Sequence, residues 1–300
     1  MQSAVIMDGQ SLSRKIAHNC ALKLADLGNP KIVLATILIG DYAPSHLYVN
    51  LKMQLAEKAG LTPHLVKLPA EVSNDGIEDT LLSLADDSQI HGILLQLPLP
   101  EHLDTDRLLE MIPPEKDVDG LTFQSMGRLV KGGVGLAPCT PLGVMRLIKE
   151  YNITTAGRSA VVIGRSFLVG IPQTLLLSKQ GVDATVTLCH SKTDAIEDIC
   201  RDADIVVAAT GINALIGKSA IKPGATVFDV GITQVDGKIV GDVIFDEVKE
   251  VAGAITPMPG GTGPMTVASL IENTIKAAQM QGVIESDVPP DGQDAENEYF

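Results

Sequence analysis

Short apolar runs alternate with longer amphipathic segments along the chain, and this alternation restricts its possible folds more than any other feature. Runs of four to nine residues rich in Val, Ile, Leu and Ala predict buried strands, and the amphipathic stretches between them predict helices. The runs lie at 31–39, 65–68, 92–97, 159–163, 184–189, 204–209 and 226–230. The sequence therefore predicts an α/β fold with two parallel sheets.

The alternation pauses between Pro113 and Pro141, where prolines, glycines and charged residues cluster without helical or strand periodicity. Because 300 residues exceed the usual size of one hydrophobic core, we place a domain border in this segment. A last helical pattern runs from Thr266 to Gln281. The segment from Glu285 to Phe300 contains six acidic residues and no Lys or Arg, and we predict that it is disordered and dispensable.

Composition excludes several classes of protein. With 45% hydrophobic and 20% charged residues in short runs, the chain is predicted to be soluble, without a membrane span. A net charge of −14 argues against nucleic acid as a partner, because phosphate backbones require a basic surface. The first residues show no secretory pattern, and the four cysteines lack CxxC spacing, so we expect a cytoplasmic protein without a structural metal.

A glycine turn after the run at 159–163 indicates dinucleotide binding. Gly164 permits a sharp turn, Gly170 permits close packing of the next helix, and the amides at that helix start favour a pyrophosphate. Ser166 replaces the usual middle glycine, however, and such a degenerate pattern also occurs in ordinary strand-to-helix turns.

The segment after the next run indicates which dinucleotide is preferred. A dinucleotide-binding fold normally places an acidic residue there to bind the adenosine ribose, but this chain has Ser191 and Lys192. Together with Arg165, these side chains can bind a phosphate at the ribose, so NADP is preferred over NAD. The alternative is that Lys192 is an ordinary solvent-exposed lysine at the end of a strand, without a ligand.

A second group of polar residues indicates a catalytic site. Ser45, Tyr48 and Lys52 are spaced i, i+3 and i+7, which places them on one helix face, although a helical lysine is more often simply solvated. Gln96 closes an apolar strand, and strand ends are where α/β proteins bind ligands. The glycine- and proline-rich loops at 116–122 and 256–266 suit close approach of the backbone to a ligand, or are rigid turns.

Five motifs in this order resemble the bifunctional methylenetetrahydrofolate dehydrogenase/cyclohydrolase family. They are YVNLK at 48–52, QLPLP at 96–100, DVDG at 117–120, GRS at 164–166 and PGGTGPMT at 259–266. The resemblance covers residues 9–281. Thr262 departs from it, because many relatives carry a small aliphatic residue there.

The resemblance implies NADP-dependent oxidation of 5,10-methylenetetrahydrofolate and hydrolysis of the methenyl product to 10-formyltetrahydrofolate. It implies that Lys52 is the central catalytic residue, Tyr48 stacks on the folate, Gln96 tunes the lysine, and Asp119 holds the pterin ring. The remaining folate contacts implied are Leu97, Gly261 and Pro264. The implied NADP contacts are Gly164, Arg165, Ser166, Ser191 and Ile232.

The resemblance also implies the architecture. We expect a folate-binding domain at 1–139, completed by a helix at 265–282, and a Rossmann-like NADP domain at 140–264. The active site is then expected in the interdomain cleft. An acidic tail at 283–300 and a homodimer are also expected. Three other functions stay open: a monofunctional dehydrogenase, a non-catalytic NADP-binding regulatory module, and a two-domain dehydrogenase for a hydroxy acid or shikimate-like substrate.

Overall fold

The computed structural model describes residues 3–285, except for the side chains at positions 43, 44 and 47. Its strands are β1 (Val5–Ile6), β2 (Val33–Ile39), β3 (Thr62–Leu68), β4 (Gly92–Leu95), β5 (Ser159–Ile163), β6 (Thr185–Cys189), β7 (Ile205–Ala208), β8 (Thr226–Asp229), β9 (Thr233–Val235), β10 (Lys238–Val240) and β11 (Ala254–Ile255). Its α-helices are α1 (Gly9–Asp26), α2 (Ala43–Lys58), α3 (Asn74–Asp86), α4 (Thr105–Leu109), α5 (Phe123–Lys131), α6 (Cys139–Glu150), α7 (Gly170–Ser178), α8 (Ile196–Arg201), α9 (Phe245–Val248) and α10 (Thr262–Met280).

One compact unit contains residues 14–139 and the described residues from 267 onward. We call it the three-stranded unit, because its sheet has the order β3-β2-β4 with parallel pairing throughout. Every residue of the central strand β2 is buried, as expected for a parallel strand with helices on both faces. The core contains Leu34, Leu94 and Ile271, so the last helix supplies part of this interior.

The other unit contains residues 140–266 and the described residues up to 13. We call it the six-stranded unit. Its sheet has the order β1-β11-β8-β7-β5-β6, and all its pairs are parallel. The core side chains are small or β-branched, as in Val161, Val206 and Val227. A separate antiparallel hairpin joins β9 to β10.

The N-terminal strand lies in a different unit from the one predicted. The sequence assigned residues 1–139 to a single domain, but β1 pairs with β11 of the six-stranded unit. Val5 N donates to Gly253 O at 2.8 Å, and Met7 N donates to Ile255 O at 2.9 Å, so the strand completes a sheet edge. Met7 is fully buried. A two-residue strand carries too little periodicity for recognition from the sequence.

The segment between Pro113 and Pro141 is also more regular than predicted, because it contains α5 and the start of α6. Thr122 caps α5 by accepting a hydrogen bond from Ser125 N, and Gly132 ends it in the left-handed region at φ 69°. This helix buries only Ser125 and Leu129. Its cap residues, Thr122 and Gly132, were the sequence signal that could have predicted this helix.

The predicted tail at 283–300 overlaps the folded body. Val283 N donates to Ala278 O at 2.9 Å, and Ile284 is buried within the core of the three-stranded unit. The ordered chain therefore extends at least through Glu285. The predicted disorder of residues 286–300 falls outside the described residues.

Substituting Ile284 with Ala is expected to lower the free energy of unfolding by about 2 kcal/mol, because it removes buried apolar side-chain atoms. Thermal or urea unfolding measures this change. Val283→Ala is the matched control, since that neighbouring side chain is exposed. Deletion of residues 286–300 is expected to leave the Tm unchanged, and equal losses in all three variants would contradict the packing role of Ile284.

Within residues 3–285, no helix is both long and apolar enough to cross a membrane.

Candidate active site

Lys52 and Gln96 form a hydrogen-bonded pair in the three-stranded unit. Lys52 lies on the inward face of α2, one turn before the buried Ala56, and Gln96 follows β4 directly. The Lys52 Nζ donates to Gln96 Oε1 at 2.9 Å. The Gln96 Nε2 donates to Leu97 O at 2.6 Å, so the amide is oriented with its oxygen toward the lysine. Lys52 therefore donates to a neutral amide oxygen, which places no negative charge beside the lysine.

Tyr48 lies one turn before Lys52 on the same face of α2, and Ser45 is buried a further turn back. The three residues therefore lie on one helix face, as their spacing predicted. Tyr48 is half-buried, and burial raises the pKa of its phenol above the ordinary value. The ring stays neutral at physiological pH and offers an apolar face with a polar tip.

The DVDG motif turns beside β4. An isolated parallel bridge joins Ile93 to Asp117, and the Asp117 carboxylate accepts hydrogen bonds from Leu121 N at 3.2 Å and Thr122 N at 2.9 Å. Gly120 has φ 69°, and a side chain there would overlap the backbone of Ala137. The glycine is therefore required both by its conformation and by this contact.

Lys116, just before this motif, has a structural role. Its Nζ donates to Ala85 O at 2.7 Å and Asp87 O at 2.8 Å, which satisfies carbonyl groups at the end of α3. Both Lys116 and Asp117 are buried, whereas Asp119 keeps part of its surface exposed. Of the acidic and basic residues at 116–119, only Asp119 is available to a ligand.

The Asp119 carboxyl lies in the electrostatic field of Lys52. Burial raises the pKa of Asp119 above its ordinary value, while the positive charge of Lys52 and the neighbouring Cys139 thiol act to lower it. The structure therefore brings together Tyr48, Lys52, Gln96, Leu97 and Asp119, all predicted from the sequence, within one unit.

The glycine turn of the six-stranded unit lies at the point where the strand order reverses. The chain runs from β5 to β6 on one side and then to β7 on the other, and ligands of open α/β sheets bind outside the strand ends at such a point. Gly164 has φ 114°, and a β-carbon there would overlap Ala209 O. A β-carbon at Gly170 would overlap Gly164 O, so the helix start packs directly on the turn.

The side chains around this turn suit an anionic ligand. Arg165, Ser166, Ser191 and Lys192 are exposed. The Ser166 hydroxyl accepts a hydrogen bond from Val169 N at 3.2 Å, which shapes the turn. The loop after β6 is braced by His190 N donating to Thr193 Oγ1 at 2.9 Å. This donor set fits a dinucleotide with a phosphate on its ribose.

Two buried acids, Asp229 and Asp242, were not singled out by the sequence. The Asp242 carboxylate accepts hydrogen bonds from the Thr210 amide, from Thr210 Oγ1 at 2.8 Å and from Gly211 N at 3.3 Å. A β-carbon at Gly231 would overlap this carboxylate. Asp242 therefore supports the loop after β7 and the backbone just before the exposed Ile232.

The pKa of Asp229 is raised to about 7. Burial is the main cause, and the Asp242 charge adds to it, while hydrogen bonds from the backbone of Asp242 and Val243 act in the opposite direction. The folded state thus keeps this proton up to about pH 7, whereas the unfolded chain releases it near pH 3.8. Between these values the folded state binds more protons, so the free energy of unfolding decreases as pH rises.

We expect this contribution to reach at most about 4 kcal/mol between pH 4 and 7 and to stay constant above. Urea unfolding at several pH values should show a smaller decrease for Asp229→Asn, which cannot titrate, than for the wild type. Asp236→Asn in the exposed β9–β10 turn is the control. Identical profiles for wild type and Asp229→Asn would contradict the role of this carboxyl.

Gly261 and Pro264, which the sequence also predicted, lie in the six-stranded unit at the start of α10. Gly261 is buried, its amide donates to Pro257 O at 2.8 Å, and a β-carbon would approach Thr256 Cβ to 2.6 Å. The unusual Thr262 is also buried, and its hydroxyl donates to Asp229 O at 2.8 Å. This polar substitution is therefore satisfied by a hydrogen bond.

In the described part of the chain, no group of three or more His, Cys, Asp or Glu side chains is arranged to bind a metal ion.

A parallel α/β sheet with a glycine turn at its switch point is typical of a dinucleotide-binding domain. Two family models match the chain: the tetrahydrofolate dehydrogenase/cyclohydrolase catalytic domain over residues 7–119, and the NAD(P)-binding domain of the same family over residues 138–282. The chain belongs to the tetrahydrofolate dehydrogenase/cyclohydrolase family.

Individual relatives agree over nearly the full length. The bifunctional protein FolD of Methanospirillum hungatei is 48% identical over 277 residues, which cover 92% of this chain and 98% of the relative. The crystal structure of the bifunctional FolD enzyme from Campylobacter jejuni is 40% identical, with a TM-score of 0.89, and the match covers 93% of this chain and all of that one. The Trypanosoma brucei methylenetetrahydrofolate dehydrogenase-cyclohydrolase, solved with NADP and an inhibitor, has a TM-score of 0.90 at 37% identity, covering 94% and 99% of the two chains.

Proposed function

We propose that Lys52, Gln96, Tyr48 and Asp119 carry a bifunctional reaction on folate. The protein oxidises 5,10-methylenetetrahydrofolate with NADP and hydrolyses the methenyl product to 10-formyltetrahydrofolate. The observation that carries this proposal is the hydrogen bond from Lys52 Nζ to Gln96 Oε1 beside the partly exposed Asp119, within a catalytic domain of this family.

The oxidation step depends mainly on positioning. Loss of hydride from the methylene carbon leaves a cation stabilised by two flanking nitrogens, so no base has to remove a proton. When bound, NADP accepts the hydride. Tyr48 offers its ring for stacking on the folate, and the Asp119 carboxylate accepts hydrogen bonds from the pterin. Leu97, Gly261 and Pro264 complete the proposed folate contacts.

The hydrolysis step requires proton transfer. Water adds to the methenyl carbon and loses a proton, the bond from that carbon to one ring nitrogen breaks, and a proton moves to this nitrogen, with one proton released overall. Lys52 Nζ is the group that exchanges these protons. Gln96 Oε1 holds the lysine by a neutral hydrogen bond and so keeps its tip oriented without neutralising its charge.

The NADP contacts proposed are Gly164, Arg165, Ser166, Ser191 and Ile232. Gly164 lets the backbone approach the pyrophosphate, because its positive φ and its contact with Ala209 exclude any side chain. Arg165 and Ser191 are exposed beside the turn and can bind the ribose phosphate.

The protein is further proposed to be a cytoplasmic homodimer. The family resemblance supports the dimer, and the four free cysteines suit a reducing compartment. Sedimentation equilibrium of the purified chain tests the oligomeric state, and a monomer at micromolar concentration would contradict it.

One assay series tests the function. Purified protein is mixed with methylenetetrahydrofolate and NADP, and NADPH formation is followed by absorbance; methenyltetrahydrofolate disappearance is then measured separately. We expect both reactions. Oxidation without accelerated hydrolysis would indicate a monofunctional dehydrogenase, and NADP binding without turnover of any folate would indicate a regulatory module.

A further inference from the structure

Two buried residues next to Asp119 have no place in the function described above. Cys139 is buried at the start of α6, and its thiol donates a hydrogen bond at 3.2 Å to Val118 O, the carbonyl just before Asp119. A side-chain donor at this position holds the backbone beside Asp119 from the interior side. This contact was invisible in the sequence, where Cys139 stands 20 residues away.

Asn273 of α10 connects the same segments. Its Nδ2 donates to Val118 O at 2.8 Å and to Ala137 O at 2.9 Å, and it lies 3.5 Å from Cys139 Sγ. The residues before Asp119 and before Cys139 are therefore fixed by one amide. Asn273 is itself buried, so removal of the amide would leave two carbonyl groups with one partner fewer.

The thiol is suited to donate a hydrogen bond. Burial raises the pKa of Cys139 well above its ordinary value, and the Asp119 charge adds to this effect. Cys139 therefore remains a protonated thiol at physiological pH, and it donates weakly to Val118 O without presenting a competing negative charge beside the Asp119 carboxylate.

We propose that Cys139, held in place by Asn273, is a positioning residue that fixes the Asp119 carboxylate for binding the folate ring. The inference rests on the proposed function, because it assigns Cys139 a role only through Asp119. It predicts that loss of the thiol weakens folate binding in both reactions and leaves the dinucleotide site unchanged.

The first experiment compares Cys139→Ala with Cys139→Ser in the full chain. Alanine removes the donor, and the KM for methylenetetrahydrofolate and for methenyltetrahydrofolate should each rise about tenfold, with kcat changed much less. Serine keeps a donor of similar size, so both KM values should return to within about threefold of the wild type. The Kd for NADP, measured by calorimetry, should be the same in all three proteins.

The second experiment uses α10. Asn273→Ala should raise the same KM values and lower the Tm, because it frees the Asp119 segment and leaves Val118 O and Ala137 O with fewer donors. Ser269→Ala is the matched control: Ser269 is also buried on α10, but its hydroxyl makes no hydrogen bond in the described structure. This control should keep the wild-type KM.

The pH profile separates positioning from a merely structural role. The neighbouring thiol lowers the pKa of Asp119, so Cys139→Ala should move the acidic limb of kcat/KM for the folate substrate to higher pH. Lys52 and Asp117, the other charged groups facing Asp119, are unchanged in this variant.

Wild-type KM values and an unmoved acidic limb in folded Cys139→Ala would overturn the inference. So would a loss in kcat alone that serine does not restore. Failure of the proposed function is a separate result, because it would show as absent folate turnover by the wild-type protein.

Discussion

Replacement of Lys52 by Gln is expected to lower the cyclohydrolase rate at least about 100-fold and the dehydrogenase rate much less. General acid–base groups contribute about 10²–10⁴-fold, and only the hydrolysis step moves protons around attacking water. Glutamine keeps much of the length and a polar tip, so the contact with Gln96 is the main interaction altered. Initial rates of both reactions, measured on one preparation, give the ratio.

Lys58→Gln is the matched control for this variant, because it makes the same substitution at the exposed end of α2. It should retain both rates, and both variants should keep the wild-type Tm. If Lys52→Gln lowered the two rates in parallel, Lys52 would be a substrate-positioning residue for both steps, and its assignment as the proton-exchanging group would be wrong.

Replacement of Arg165 by Ala is expected to weaken NADP selectively, by about 1.5–3 kcal/mol or roughly 10- to 100-fold in kcat/KM. The reason is the loss of a charge-assisted hydrogen bond to the ribose phosphate, which NAD lacks. Steady-state rates with NADP and with NAD, at saturating methylenetetrahydrofolate, measure the selectivity.

Arg158→Ala is the matched control, since Arg158 and Arg165 are both exposed and flank β5 at its opposite ends. Only the residue after the strand lies at the ligand-binding edge of the sheet. Equal or better kcat/KM of the wild type with NAD would contradict the NADP preference, and equal losses in both arginine variants would show a nonspecific charge effect.

Seven strands of the two main sheets, β2 to β8, were predicted, because the central ones are buried on both faces and appear as uninterrupted apolar runs. β5 was predicted at its observed bounds, and β2 within two residues. The prediction missed β1 and α5. β1 has two residues, and α5 buries only two side chains, so their positions depend on main-chain hydrogen bonds and caps.

The folate motifs were visible from the sequence, but the sequence did not show which of their charged residues is available to a ligand. Lys116, Asp117 and Asp119 stand within four residues, and all three carry a charge that could bind a ligand. The fold directs the first to the end of α3 and the second to its own loop, so only the third remains for a ligand. The role of each residue depends on the direction in which its side chain points after the chain turns.

The sequence by itself determined the α/β class, the family, the lysine-bearing helix and the glycine turn. These features are local: they depend on apolar periodicity and on the few residue types that tolerate a given backbone conformation. Only the tertiary structure decided that Gln96 turns its oxygen to Lys52, that Cys139 and Asn273 contact the Asp119 segment, and that Asp242 supports the turn before Ile232. Those contacts join residues as many as 155 positions apart, and only packing of the whole unit brings their short-range hydrogen bonds within reach.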